Sequence, residues 1–301
     1  MRFPSLHRPS ETVEARAKVN LALAVGAPRP TDGYHPIASW MARIDLADEL
    51  VITRLDDGDL SRYAIIWHPE AARPSPIDWS VTKDLAVRAH LLLQEHLGHE
   101  LPVQLRLSKR IPVGGGLAGG SADAAAMLIG LNRLFDLQLS TDALASIATR
   151  LGSDVAYCLH DGPAFVDDFG AGVALTPPVR ADLVVVFPEF PCPTGAVYSA
   201  FDAAPPATFR EAEVRAMAER AAIDPAALFN DLADPACAVA AGLHTLRQRI
   251  AEVASVPAHV SGSGSTVFVV CPEGRGQADW VADELEESIE GVVALPAAIG
   301  A

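Results

Sequence analysis

Five glycines fall within the eleven residues Pro112, Val113, Gly114, Gly115, Gly116, Leu117, Ala118, Gly119, Gly120, Ser121 and Ala122, and this stretch constrains the chain more than any other. Glycine tolerates positive φ and lets the backbone approach a ligand closely, at an entropic cost that a plain surface loop has no reason to carry. Upstream, Val103, Leu105 and Leu107 alternate as a strand; downstream, Ala124, Leu128, Leu131 and Phe135 recur at helical spacing in a helix expected from Ser121. Strand, glycine-rich turn and helix N-terminus together gather backbone amides and the positive end of a helix dipole, which suits a phosphate.

Two familiar phosphate motifs fail here. Gly114-x-Gly116-x-x-Gly119 matches the dinucleotide fingerprint, but that motif needs an acid about twenty residues on at the end of a second strand. Asp136 ends a helix instead. The P-loop spacing is approached as well, with Gly120 standing where that motif needs lysine.

Charge requires that an anion be captured locally. Asp and Glu number 38 against 23 Lys and Arg, a formal charge of -15 that repels nucleic acid and acidic lipid. Arg16, Lys18, Lys109 and Arg110 are the cations close in sequence to the informative segments. The four cysteines, Cys158, Cys192, Cys237 and Cys271, are too scattered for a metal site or disulfide framework. No apolar run has the length of a signal peptide or a membrane span, so a cytoplasmic enzyme with free thiols is expected.

Val13 to Val25 reads as a strand that breaks at Gly26-Ala-Pro-Arg-Pro. Lys18 and Asn20, two apart, share one face of it and either project together into a cleft or sit on a solvated face. The runs 49–54 and 61–67 flank a turn cluster, Asp56-Asp-Gly-Asp, and read as a hairpin. Helices are expected over 83–97 and 141–151, the second capped by Ser140 or Thr141 and ending at Gly152, just before Ser153-Asp154. Later come strands over 183–187 and 266–270 and helices near 208–222, 235–251 and 277–289. Without regular strand-helix alternation, an α+β fold is the better reading than a doubly wound sheet. A linker is expected over 162–178.

The loop has the P-x-G-x-G-L-x-x-S-x-A type spacing and resembles that of the galactokinase, homoserine kinase, mevalonate kinase and phosphomevalonate kinase (GHMP) superfamily. Three further segments agree in order: Ala17-Lys18-Val19-Asn20-Leu21, Leu151-Gly152-Ser153-Asp154-Val155, and Val260-Ser-Gly262-Ser-Gly264-Ser-Thr266. Within the superfamily, Asp32-Gly33-Tyr34-His35 resembles the cytidine-reading stretch of the branch that phosphorylates the 2-hydroxyl of a cytidine-diphosphate-linked methylerythritol, a step of the non-mevalonate isoprenoid route. Pro193-Thr194-Gly-Ala-Val-Tyr198 and Phe229-Asn230-Asp231-Leu232 resemble that branch too. Homoserine or mevalonate kinase chemistry does not account for Asp32 to His35, and a non-catalytic nucleotide-binding protein would not need both Lys18 and Asp154.

The resemblance implies an α+β, GHMP-kinase-like two-domain fold. Residues 1–165 would form a ribosomal-protein-S5-like nucleotide-binding domain and 166–301 a ferredoxin-like α/β sandwich, with the active site between them. It implies ATP as phosphoryl donor with Mg²⁺, and a small cytidylyl alcohol as acceptor. Asp154 would take or orient the acceptor proton, and Lys18 would keep Asp154 ionised and stabilise charge on the transferred group. Residues Pro112 to Ala122 would hold the ATP phosphates, with Gly262 and Gly264 in support and Ser121 as a candidate metal contact. Asn20, Tyr34, His35, Thr194 and Tyr198 would hold the acceptor, Tyr198 facing Tyr34 across the base. Ala118, Ala122, Ala156 and Asp84-Leu85 depart from the usual family residues, and no adenine-binding side chain is assigned.

Overall fold

The structure, a computed structural model, describes residues 8–170, 172–205 and 208–300. In chain order the strands are β1 (Ser10–Val25), β2 (Ile37–Arg54), β3 (Arg62–Trp67), β4 (Val103–Lys109), β5 (Ala164–Asp167), β6 (Gly172–Leu175), β7 (Ala181–Phe187), β8 (Phe229–Asn230), β9 (Ala258–Val260), β10 (Val267–Cys271) and β11 (Val293–Ile299). The helices are α1 (Leu85–Leu97), α2 (Gly119–Leu134), α3 (Thr141–Ala148), α4 (Val155–Cys158), α5 (Thr194–Ala203), α6 (Glu211–Arg220), α7 (Ala233–Val239), α8 (Leu243–Ala254) and α9 (Arg275–Ser288). The strands join one sheet whose main path runs β3-β4-β2-β11-β7-β10-β9, with β1 along β2. This mixture bears out the α+β expectation.

The expected hairpin does not form. The turn at 56–59 is present, with Asp59 N donating to Asp56 O at 3.0 Å. However, β4 inserts between the two strands, antiparallel to β2 and parallel to β3. Burial decides the order. Val103, Leu105 and Leu107 of β4 are fully buried and suit an interior strand, whereas β3 exposes every second residue and suits an edge. The segment expected as a linker is also part of the sheet: β5 pairs with β2 through Ser39 to Met41, and β6 folds back on β5. Its residues Phe165 and Val166 are buried, which a free linker would not be. The boundary expected after residue 165 falls within β5.

Three apolar clusters hold these elements. One packs α1, α2 and α3 against β2 and β4 through Leu50, Ile52, Leu105, Leu128 and Leu144. A second packs α8 and α9 against β7 and β10 through Val184, Val267, Ile250 and Leu285. The third draws on both ends of the chain, joining Val19, Leu21 and Trp40 to Leu183, Phe187, Phe268 and Ile299. Ala17, Val19 and Leu21 of β1 all enter this third core. Strand alternation therefore turns Lys18 and Asn20 to the opposite face, toward the cleft.

α2 starts at Gly119, two residues before the expected Ser121, on an Ala118 in the left-handed region (φ 56°). Its small residues allow close docking on the sheet. A Cβ at Gly130 would lie 2.4 Å from Ile52 Cδ1. That close approach carries the helix N-terminus and the loop before it to the mouth of the cleft.

Candidate active site

A cleft of about 630 Å³ is lined by Lys18, Asn20, the loop from Pro112 to Ser121, Asp154, Thr194, Tyr198 and Gly262. Residues from both halves of the sequence, far apart in the chain, thus meet around one space. Ala122 is buried behind the loop, and Tyr34, His35 and Gly264 lie outside the lining.

Lys18 is 3% exposed, a position at which an ammonium group costs several kcal/mol unless it is paired. Its Nζ donates to Asn20 Oδ1 at 2.6 Å and to Gly116 O at 2.9 Å, and stands 3.7 Å from Asp154 Oδ2. Asn20 is oriented in turn: its Nδ2 donates to Ser39 Oγ at 2.8 Å, and its Oδ1 also accepts from Gly262 N at 2.9 Å. Asp154 heads α4, yet its side chain makes no capping hydrogen bond, so the carboxylate stays available to the cleft.

The loop's carbonyls are turned into the protein. Gly115 O accepts from Thr266 N, Gly116 O from Lys18 Nζ and Ser261 Oγ, and Leu117 O from Lys18 N. In a trans peptide the N–H points opposite its C=O. The amides of Gly116, Leu117 and Ala118 therefore face the cleft, next to an α2 N-terminus that no side chain caps. This is an anion cradle with the positive end of a dipole behind it. Only glycine fits at its centre: Gly116 has φ 80°, and a Cβ there would lie 2.1 Å from Ser261 O. The second glycine-rich segment, 260–266, thus acts as the back wall of the first.

Beneath the cradle, Lys109 Nζ donates to Asp48 Oδ2 at 2.5 Å and to Asp123 Oδ2 at 2.6 Å, with all three side chains buried. Burial opposes the charge on Lys109, and the Asp123 and Asp48 carboxylates more than offset it, so the ammonium is held above its ordinary range. Burial likewise raises Asp123 well above the carboxylate range, against the pull of Lys109. Among the described residues, Asp123 Oδ1 is buried without a hydrogen-bond partner. Lys109 and Asp123 both line the cleft, as do Trp79, Lys83, Asp84 and Leu85 at the entrance to α1. Sequence reasoning assigned no role to Trp79, Lys83 or Asp123, because no motif spacing marks them. Lys109 had only its closeness to the loop as a signal.

At the far end, Thr194 Oγ1 bonds Ser263 Oγ at 2.9 Å, joining α5 to the back wall. Burial, with a smaller contribution from the Asp154 charge, pushes the Tyr198 hydroxyl up to about 12 and keeps it neutral. The His35 ring lies against Tyr198, with centroids 5.1 Å apart and a 40° tilt. Tyr34 is 68% exposed at the tip of the Asp32-Gly33 turn. The structure thus brings His35 and Tyr198 together and leaves Tyr34 at the surface.

Residues 84–162 match the family described as GHMP kinases N terminal domain. A 4-diphosphocytidyl-2-C-methyl-D-erythritol kinase of Moorella thermoacetica is 38% identical over 285 residues, covering 92% of this chain and 95% of the relative. One from Synechococcus sp. is 39% identical over 271 residues, covering 85% of this chain and 84% of the relative. A crystal structure of 4-(cytidine 5'-diphospho)-2C-methyl-D-erythritol kinase superposes with a TM-score of 0.75 at 30% identity, covering 97% of this chain and 100% of that one. Homoserine kinase from Cytophaga hutchinsonii shares the fold, with a TM-score of 0.73 at 17% identity over 99% of this chain and 96% of that one.

Proposed function

The chain belongs to the 4-diphosphocytidyl-2-C-methyl-D-erythritol kinase family of the GHMP kinases, and we propose that it transfers the γ-phosphoryl group of ATP to the 2-hydroxyl of that cytidylyl alcohol. The observation that carries the reading is the Lys18 ammonium, which stands 3.7 Å from Asp154 while bonded to Gly116 of the phosphate loop. One side chain links the candidate base to the candidate phosphate cradle.

Phosphoryl transfer asks a protein chiefly to align the acceptor and to stabilise charge on the transferred group. In this reading Asp154 accepts or orients the proton of the 2-hydroxyl. Lys18 faces the Asp154 carboxylate and neutralises charge on the phosphoryl oxygens. The Gly116, Leu117 and Ala118 amides hold the phosphates. The adenosine end lies toward Trp79, Lys83, Asp84 and Leu85, where the indole offers a flat surface to a base. The acceptor end lies toward Asn20, Thr194, Tyr198 and His35.

Divalent cation chemistry fits the donors beside the loop. The Ser121 hydroxyl and the unpartnered Asp123 Oδ1 are hard oxygen atoms of the kind Mg²⁺ takes, with the remaining ligands left to phosphate and water. Bound there, the ion would neutralise charge on the ATP phosphates. The proposed product places the chain in the non-mevalonate route to isoprenoid precursors.

A coupled assay of ADP release with the cytidylyl methylerythritol substrate tests the proposal. Release that requires the acceptor is expected. ADP release no faster than with ATP alone would overturn it.

A further inference from the structure

The carboxylate of Asp154 makes no capping hydrogen bond and stands 3.7 Å from Lys18 Nζ, so its place in the cleft depends on the backbone that carries it. One side of that backbone is fixed by the first apolar core, which takes Leu151, Val155, Ala156 and Tyr157. The other side meets the hairpin of β5 and β6, in a contact too close to admit a side chain. Gly170, buried at the hairpin's tip, has φ 89°, and a Cβ there would lie 2.0 Å from Ser153 O and 2.6 Å from Ser153 C. Ser153 lines the cleft immediately before Asp154.

The tip is held in a conformation that side chains disfavour. Asp168 and Phe169 precede Gly170 with φ 47° and 58°, two consecutive non-glycine residues in the left-handed region. Such strain persists only where the surroundings over-determine it, and it gathers at functional sites. The anchors here are defined. β5 pairs with β2 through Ser39 to Met41. The Phe169 ring lies under the Arg29 guanidinium, 3.6 Å from its centroid, and Asp32 grips Arg29 at 2.6 and 3.3 Å.

Resting on the reading of Asp154 as the base, we propose that Gly170 is a positioning residue for the reaction. It seats the β5–β6 tip against the Ser153 backbone and so fixes where the Asp154 carboxylate meets the acceptor hydroxyl, with Phe169 as the anchor of the tip. Phosphoryl transfer is sensitive to such placement, because a displacement of about 1 Å costs on the order of 10²-fold in rate. The phosphate loop is held by Lys18 and the 260–266 segment, so ATP binding lies outside this contact.

The test measures kcat and KM for Gly170→Ala and Phe169→Ala, each introduced into the unmodified protein and into Asp154→Asn. Gly170→Ala must shift Ser153 and is expected to lower kcat at least about tenfold, with KM for ATP unchanged. Phe169→Ala spares the Gly170 contact but frees the tip, and a fall in kcat of about threefold or more is expected. Because Phe169 is only half-buried, this second variant decides the matter if Gly170→Ala does not fold. Neither substitution should lower the residual turnover of Asp154→Asn further, since each acts through the carboxylate already removed. Unchanged kcat in the folded variants, or an equal further loss in the Asp154→Asn background, overturns the positioning role and leaves the kinase reading standing. Parent-like turnover in Asp154→Asn alone overturns the reading of the base, and the positioning role with it.

Discussion

At the scale of single residues, the site turns on a buried cation whose partners are all fixed. Lys18 cannot move without breaking its bonds to Asn20 and Gly116, so the distance to Asp154 is set by the fold rather than by side-chain freedom. Asp154→Asn keeps the shape and removes the base. Turnover is expected to fall by about 10² or more while ATP affinity, read by calorimetry, stays close to the parent's. Turnover near the parent's value would remove Asp154 from the mechanism. Lys18→Met keeps the apolar stem and removes the charge. It should depress turnover strongly, and it should also weaken ATP binding because Gly116 O loses one of its two donors and keeps only Ser261 Oγ. A loss confined to acceptor affinity would reassign Lys18 to binding.

At the scale of elements, the two glycine-rich segments function as one unit. Gly114 and Gly116 both have positive φ, but a Cβ on Gly114 meets nothing within 4 Å, whereas one on Gly116 meets the Ser261 carbonyl. Gly116→Ala should therefore cost at least ~2 kcal/mol of stability as well as ATP affinity, because the clash is with backbone. Gly114→Ala should cost less, with its effect mainly on ATP binding. Urea unfolding and calorimetry of the pair would show the contrast, and equal stability losses would refute the back-wall role of 260–266. Two other elements are docked by histidines, His90 fully buried and His259 partly buried. His90 on α1 bonds Leu101 O and Tyr63, and burial, opposed by the Leu101 bond, lowers it to about 4. His259 on β9 bonds Pro225 O, and burial likewise lowers it to about 4. Folded values below the unfolded 6.5 mean that their stabilising effect is complete above pH 6.5 and is lost as pH falls toward about 4, up to about 3 kcal/mol each. Melting temperature measured from pH 7 to pH 4 should fall less steeply in a His90→Asn, His259→Asn double variant than in the parent. Parallel slopes would sink this account.

At the scale of the molecule, the third core ties the beginning of the chain to its end. Leu21 and Trp40 share it with Leu183, Phe268 and Ile299, and β11 meets β2 at Ile299 and Ile44. The halves that form the cleft are therefore joined by buried side chains, and a single cooperative unfolding transition is expected, with coincident near- and far-ultraviolet circular dichroism. Phe268→Ala, a fully buried ring in that shared core, should cost ~3–5 kcal/mol and destabilise both halves together. Two separate transitions would show that the halves hold independently.

The pieces whose physics is local were legible along the chain. The glycine loop ahead of an alanine-rich helix, the alternation that sets Lys18 and Asn20 on one face, the Ser140 cap of α3 and the α+β mixture all follow from neighbours a few residues apart. What depended on distant partners was decided only by the tertiary structure. Strand order is an example: burial of Val103, Leu105 and Leu107 placed β4 between β2 and β3, where the turn at 56–59 alone had suggested a hairpin. Asp123 and Trp79 entered the cleft without any motif to announce them, because their roles come from what packs against them. His35 and Tyr198 met ring to ring only when the turn after β1 carried His35 to α5. Periodicity and turn chemistry act over a few residues and can be read along a chain, whereas a site is a set of distances across it, fixed by which apolar faces find one another.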